Sequence, residues 1–139
     1  MTEPKQRVLF VCFGNACRSQ MAEGFARAYG KDVLEAASAG IAPASMIPVI
    51  TLQVMEEKNI NLDGQFPKAI VDVDPASFAL VMNLSGFDMP RDLAVPVRKW
   101  DVPDPMGRNT DFHRQVRDQI EMLVMGLILE LRRNNVRGK

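Results

Sequence analysis

Four consecutive apolar, β-prone residues, Val8-Leu9-Phe10-Val11, run directly into Cys12-Phe13-Gly14-Asn15. A short continuous apolar run closed by turn residues is the pattern of a strand buried on both faces, as in parallel sheets. Helical spacing follows at once. Met21, Ala22, Phe25, Ala26 and Tyr29 recur at that spacing, Ser19 stands as the candidate N-cap, and Gly30 supplies a stop. The segment reads as strand, tight loop, helix. That unit points to the α/β class, because parallel strands need long crossovers, usually helices, that cover the sheet.

The alternation continues along the chain. Residues 34–39 predict a second strand ended by Gly40, and Pro48 opens a helix running to Lys58, with Val49, Leu52, Val54 and Met55 among its apolar positions. Phe78-Ala79-Leu80-Val81-Met82 is a third buried strand that stops at Asn83. Val95-Pro96-Val97 is a weaker fourth, and its proline argues for an edge position. From about Asp111 to Arg133 the pattern predicts the longest helix, with Val116, Ile120, Leu123, Leu127 and Leu131 on one stripe. Stretches 64–75 and 86–107, rich in Pro and Gly, read as long loops. The expectation is one domain over residues 1–139: a three-layer α/β sandwich on a four-stranded, parallel, doubly wound sheet. Ligands of such sheets bind beyond the carboxyl ends of the strands, where strand order reverses. The loops after Val11 and after Met82 should therefore share one crevice.

Composition removes several function classes. The 17 Lys+Arg residues balance 17 Asp+Glu, so no bulk field exists to grip nucleic acid or an anionic membrane. No apolar run approaches the ~18 residues that span a bilayer. The polar stretch Met1–Arg7 lacks a leader pattern, which makes the cytoplasm the expected location. Cys12 and Cys17 are the only 2 cysteines, so neither a disulfide scaffold nor a multi-thiol metal site is expected.

The loop Cys12-Phe13-Gly14-Asn15-Ala16-Cys17-Arg18 has the spacing C-x5-R. That spacing is weak alone, since basic residues are common; its place between a buried strand and a helix gives it meaning. Gly14 and Asn15 tolerate positive φ. The backbone N–H groups of residues 13–18 can form a concave nest, to which the helix N-terminus adds unpaired donors. Arg18 can offer two parallel N–H groups to a tetrahedral oxyanion, and the same donors favour a negatively charged Cys12 sulfur. A buried free cysteine is often only a small core residue, but this loop makes Cys12 a nucleophile held in an oxyanion clamp. A nucleotide P-loop is excluded, because its Gly-Lys-Ser/Thr ending is missing.

The run Val11 to Ser19, followed by Met21-Ala22-Glu23, Ser38-Ala39-Gly40, Val54-Met55 and Asp104-Pro105, resembles the low-molecular-weight protein tyrosine phosphatases and the arsenate reductases that share their fold. The resemblance implies that Cys12 attacks phosphorus to give a phosphocysteine, which water then hydrolyses. It implies that Arg18 and the loop amides hold the equatorial oxygens, and that Asp104 protonates the leaving oxygen and then activates water. It further implies that Ser19 donates to the Cys12 sulfur, that Asn15, braced by Ser38, holds the loop, and that no metal or other cofactor takes part. Asp101 is the neighbouring rival to Asp104, and the resemblance favours Asp104.

Two departures bear on substrate. Met106-Gly107 follows Asp104-Pro105 where the phosphatases usually carry a tyrosine wall, and Gln20 replaces their usual proline, in the manner of the reductases. Thioredoxin-linked reductases need two further cysteines, and the stretch from Val81 to Phe87 has none, so an internal disulfide relay cannot be completed. The first expectation is a phosphatase acting on phosphomonoesters, plausibly protein phosphotyrosine. The alternatives are an arsenate reductase that uses an external thiol and a glutaredoxin-like partner, and a non-catalytic phosphate-binding module. Cys17 is either a spacer or the partner of Cys12 in a protective disulfide. Phe13 is expected at the substrate mouth, Trp100 is expected to be structural, and His113 is expected on the surface without a role.

Overall fold

The computed structural model describes residues 5–89 and 93–137. Its elements are β1 (Gln6–Cys12), α1 (Arg18–Tyr29), β2 (Leu34–Gly40), α2 (Val49–Glu56), two short 3-10 turns (Ile70–Val73 and Pro75–Ser77), β3 (Leu80–Asn83), β4 (Val97–Lys99) and α3 (Thr110–Arg137). The strands form one parallel sheet of 4 strands in the order β2-β1-β3-β4. The chain moves outward from β1 in both directions, so the order reverses at β1, as a doubly wound sheet requires.

The continuous apolar run explains why β1 is central. Val8 to Val11 are all fully buried, and alternate residues serve opposite faces. Val8, Phe10 and Cys12 pack with Met21, Ala22 and Phe25 of α1, Met55 of α2, and Ile120, Val124 and Ile128 of α3. Leu9 and Val11 pack on the other face with Ala39, Ile70, Phe78 and Val81. All three α-helices contribute to the first face, whereas 3-10 turns and loops supply the second. The α3 stripe lies as its spacing predicts, with Leu123 partly buried and the other four apolar positions buried.

Several boundaries differ from the sequence reading. The fourth strand begins at Val97, not Val95; the Pro96 carbonyl accepts from Val81 N–H, and every residue of β4 is exposed, as suits an edge. Strand β3 starts at Leu80 and includes Asn83. Ser19 is not the N-cap of α1, since Cys17 holds that place and Ser19 lies inside the first turn. Trp100 is structural as expected, its ring 6.0 Å from that of Phe10.

The surface assignment of His113 is corrected. Its side chain is 1% exposed, and Nδ1 has no hydrogen-bond partner. The polar residues around it lie on the other faces of α3, which hid the inward stripe it belongs to. Burial lowers its pKa from the ordinary 6.5, because the charged ring would lose water without gaining a partner. Protonation therefore favours the unfolded chain. Stability is full above about pH 6.5 and falls as pH drops from there through the lower folded value. His113→Leu should remove this component, so its urea midpoint should fall less than the wild type's between pH 7.5 and pH 5. Parallel curves would show that the imidazole does not titrate in this way.

Candidate active site

The crevice opens at the carboxyl end of β1; the loop after β3 does not line it but touches it from outside, through Leu84 O on Arg18 and Phe87 against Phe13. A bowl of about 70 Å³ is lined by Cys12, Phe13, Gly14, Ala16, Cys17, Arg18, Asp104 and Met106. The loop must turn sharply between the end of β1 and the start of α1. Asn15 does this at φ 50°, an uncommon conformation that Asn tolerates better than most residues; Gly14 keeps a negative φ. Gly40 lets the loop pass, since a Cβ there would lie 2.9 Å from both Asn15 N and Phe13 O. Among the described residues, the N–H groups of Gly14, Asn15, Ala16 and Cys17 have no protein acceptor and are free for an anion.

Cys12 Sγ lies at the base of the bowl, 2.9 Å from Ser19 Oγ. Asn15 Nδ2 donates to that same oxygen at 2.7 Å, which leaves the hydroxyl proton available to the sulfur. The first turn of α1 thus carries Ser19 as a hydrogen-bond partner of Cys12 instead of a cap. Ser38 does not brace Asn15. Its hydroxyl donates to Glu23 Oε1 at 2.6 Å, because the Glu23 carboxylate is 2% exposed and needs buried donors. Asn15 is held instead by the Lys68 backbone N–H at Oδ1, 3.0 Å, and by Gln20 Nε2 at its carbonyl, 2.9 Å.

Arg18 is buried and ties three segments together. Nη1 donates to Leu84 O at 2.6 Å and Val102 O at 3.1 Å, and Nη2 lies 3.6 Å from Asp104 Oδ2. Among the described residues its Nε has no protein acceptor. The Asp104 side chain is 52% exposed, and its Oδ1 accepts from the Met106 N–H in a local turn. Asp101, the rival, is absent from the bowl lining; its carbonyl accepts from Gln119 on α3. Phe13 is 43% exposed, with its ring 5.6 Å from that of Phe87. Both aromatics and Met106 give the rim an apolar character.

Cys17 shares the bowl but has a different environment. The Thr51 hydroxyl donates to its sulfur at 3.2 Å. Burial pushes the thiol up to about 11, with smaller opposing and reinforcing effects from Thr51, Cys12, Asp104 and Arg18. It is a neutral thiol at pH 7 and a poor nucleophile. Both cysteines are free thiols in the structure.

Thr51, Lys68, Gln65 and Glu23 belong to the support of this site, and sequence reasoning assigned none of them a role there. Lys68 Nζ donates to Ser38 O at 3.2 Å, and burial lowers its pKa while nearby Glu23 works against that. Glu23 at least sits four residues before Arg27, a recognisable helical ion pair. Lys68 and Gln65 lie in irregular chain, where no periodicity reports burial.

The unit β1–loop–α1 brings the cysteine and arginine of a C-x5-R loop into one bowl at the end of a parallel sheet. The chain belongs to the low molecular weight phosphotyrosine protein phosphatase family, whose model matches residues 7–137. Within it, a Synechocystis sp. protein named glutaredoxin arsenate reductase is 32% identical over 130 residues, which is 91% of this chain and 98% of that protein. A solved structure described as an arsenate reductase in the phosphate binding state superposes with TM-score 0.84 at 31% identity, covering 91% of this chain and 98% of that one. The low molecular weight protein tyrosine phosphatase from T. tengcongensis gives TM-score 0.77 at 27% identity, covering 91% and 100%.

Proposed function

We propose that this chain is an arsenate reductase that depends on an external thiol. The observation that carries the reading is the pairing of an oxyanion-sized bowl with a chain holding only 2 cysteines, Cys17 being neutral and hydrogen-bonded to Thr51. The similarity to proteins named arsenate reductase supports it. Met106 at the rim, where an aromatic wall would suit an aryl ester, supports it too.

In this reading arsenate sits on the loop amides and Arg18, and the Cys12 thiolate attacks arsenic. Asp104 protonates the departing oxygen, which leaves as water, and a Cys12 S–As(V) bond remains. An external thiol then attacks the Cys12 sulfur. The S–As electron pair goes to arsenic, As(V) becomes As(III), arsenite departs, and a mixed disulfide is left on Cys12. A second thiol, from a glutaredoxin-like partner, attacks that disulfide and returns Cys12 to its thiolate. Two thiols are oxidised for each arsenate reduced.

A second reading keeps the same residues as a phosphatase acting on phosphomonoesters. The family itself supports it, and the half-exposed Asp104 carboxyl that lines the bowl would serve there too as the acid for a leaving oxygen. One preparation assayed with arsenate plus glutathione and glutaredoxin, and in parallel with p-nitrophenyl phosphate, separates the two. Arsenate-dependent thiol oxidation should dominate. Phosphate ester hydrolysis without any arsenate-dependent rate, using several thiols, would return the phosphatase reading. Tight phosphate binding with neither activity would leave a binding module. For any ester hydrolysis observed, Asp104→Asn should slow poor leaving groups by about 10²–10⁴-fold and good ones much less. Equal losses would assign the acid elsewhere.

A further inference from the structure

We propose that Gln65 and Gln20 are positioning residues for the reactive sulfur, acting as a hydrogen-bond chain that fixes Asn15 and, through it, the hydroxyl of Ser19. The proposal rests on the reading of Cys12 as the nucleophile. It does not depend on whether arsenic or phosphorus is attacked.

The chain can be followed atom by atom. Gln65 Nε2 donates to Gln20 Oε1 at 2.8 Å and to Gln20 O at 3.2 Å. Gln20 is fully buried, and its own Nε2 donates to the Asn15 carbonyl at 2.9 Å. Asn15 Nδ2 donates to Ser19 Oγ at 2.7 Å, and Ser19 Oγ lies 2.9 Å from Cys12 Sγ. Each amide has one acceptor and one donor end. Gln65 holds the acceptor end of Gln20 while its donor end meets the Asn15 carbonyl, and the Lys68 N–H at Asn15 Oδ1 turns Nδ2 toward Ser19. Without the Gln65 donor, Gln20 Oε1 is a buried acceptor with no partner, and the amide that donates to the Asn15 carbonyl is no longer held from its other end.

Asn15 is the member that most needs holding. It adopts φ 50° with its side chain fully buried, and any relaxation toward negative φ would swing Nδ2 away from Ser19. The Ser19 proton is committed to the sulfur only while Asn15 occupies the oxygen's acceptor side. The Lys68 backbone N–H holds Asn15 Oδ1 at 3.0 Å from the same segment as Gln65. Residues 65–68, irregular chain outside the lining of the bowl, thus set a hydrogen bond to the nucleophile from behind the residues that line it.

The test is the second-order rate of Cys12 alkylation by iodoacetamide at pH 7, with sites identified by mass spectrometry and Cys17 as internal control. Wild-type Cys12 should react much faster than Cys17. Gln65→Glu keeps the shape but turns the donor into an acceptor, and should slow Cys12 alkylation about tenfold, the equivalent of one net hydrogen bond. Its thermal midpoint should stay within a few degrees of wild type. Gln65→Lys, which restores a donor, should recover most of the rate. Gln20→Met should slow the reaction as much as Gln65→Glu, and the double variant no further, since links in series are not additive. Should Gln20→Met fail to fold, the two Gln65 variants decide alone. A fast wild-type Cys12 with an unchanged Gln65→Glu rate, or losses that add, overturns the proposal and leaves the nucleophile intact. A wild-type Cys12 no faster than Cys17 overturns the nucleophile reading and the proposal with it.

Discussion

Cys12→Ser is expected to lower turnover by at least about 10⁴-fold, both for arsenate reduction and for any phosphate ester hydrolysis. A serine hydroxyl at that position is neutral at pH 7, and nothing in the bowl is placed to take its proton except the exposed Asp104. Cys17 cannot replace the lost nucleophile: its thiol is pushed up to about 11 by burial, and Thr51 donates to its sulfur. Phosphate binding should survive, because the free N–H groups of residues 14–17 and Arg18 remain. Equilibrium binding of phosphate beside a turnover assay separates these effects. Activity within tenfold of wild type would place the nucleophile elsewhere.

Arg18→Lys is expected to reduce kcat/KM by about 10³-fold and to weaken phosphate binding as well. An ammonium has no planar pair of N–H groups to match two oxygens. The substitution also removes a strut. Nη1 joins the carbonyls of Leu84 and Val102, so losing it loosens the loop after β3 and the segment leading to Asp104. Two buried carbonyls without a donor should destabilise the fold by about 1–3 kcal/mol. Denaturant midpoints and steady-state kinetics of the same variant test both parts. A loss of less than tenfold in kcat/KM would mean that the guanidinium does not hold the oxyanion.

The sheet was legible because its strands are buried on both faces. Val8-Leu9-Phe10-Val11 and Leu80-Val81-Met82 are uninterrupted apolar runs, and the α3 stripe repeats cleanly at helical spacing. Boundaries were less legible at the edge, where Val97–Lys99 is exposed and few apolar contacts define its start. His113 was misplaced because one polar residue among polar neighbours looks solvated until the helix face is known.

The site divides along the same physical line. Cys12, Arg18 and the residues between them are adjacent in the chain, so their spacing alone predicts a shared loop. Asp104 required the family resemblance, and its arrival in the bowl depends on the path from β4 to α3. The braces were out of reach of the sequence. Ser38 turns to Glu23, while Asn15 is held by Lys68 N–H, fifty-three residues away, and by Gln20.

What the sequence determined by itself was the class of fold and the chemistry of one loop, because burial periodicity and short-range spacing are local properties of a chain. What only the tertiary structure decided was which polar groups answer each buried donor and acceptor. Those partners are chosen by distance in space after the strands have packed, and a side chain such as Gln65 carries no local mark of the atom it will meet.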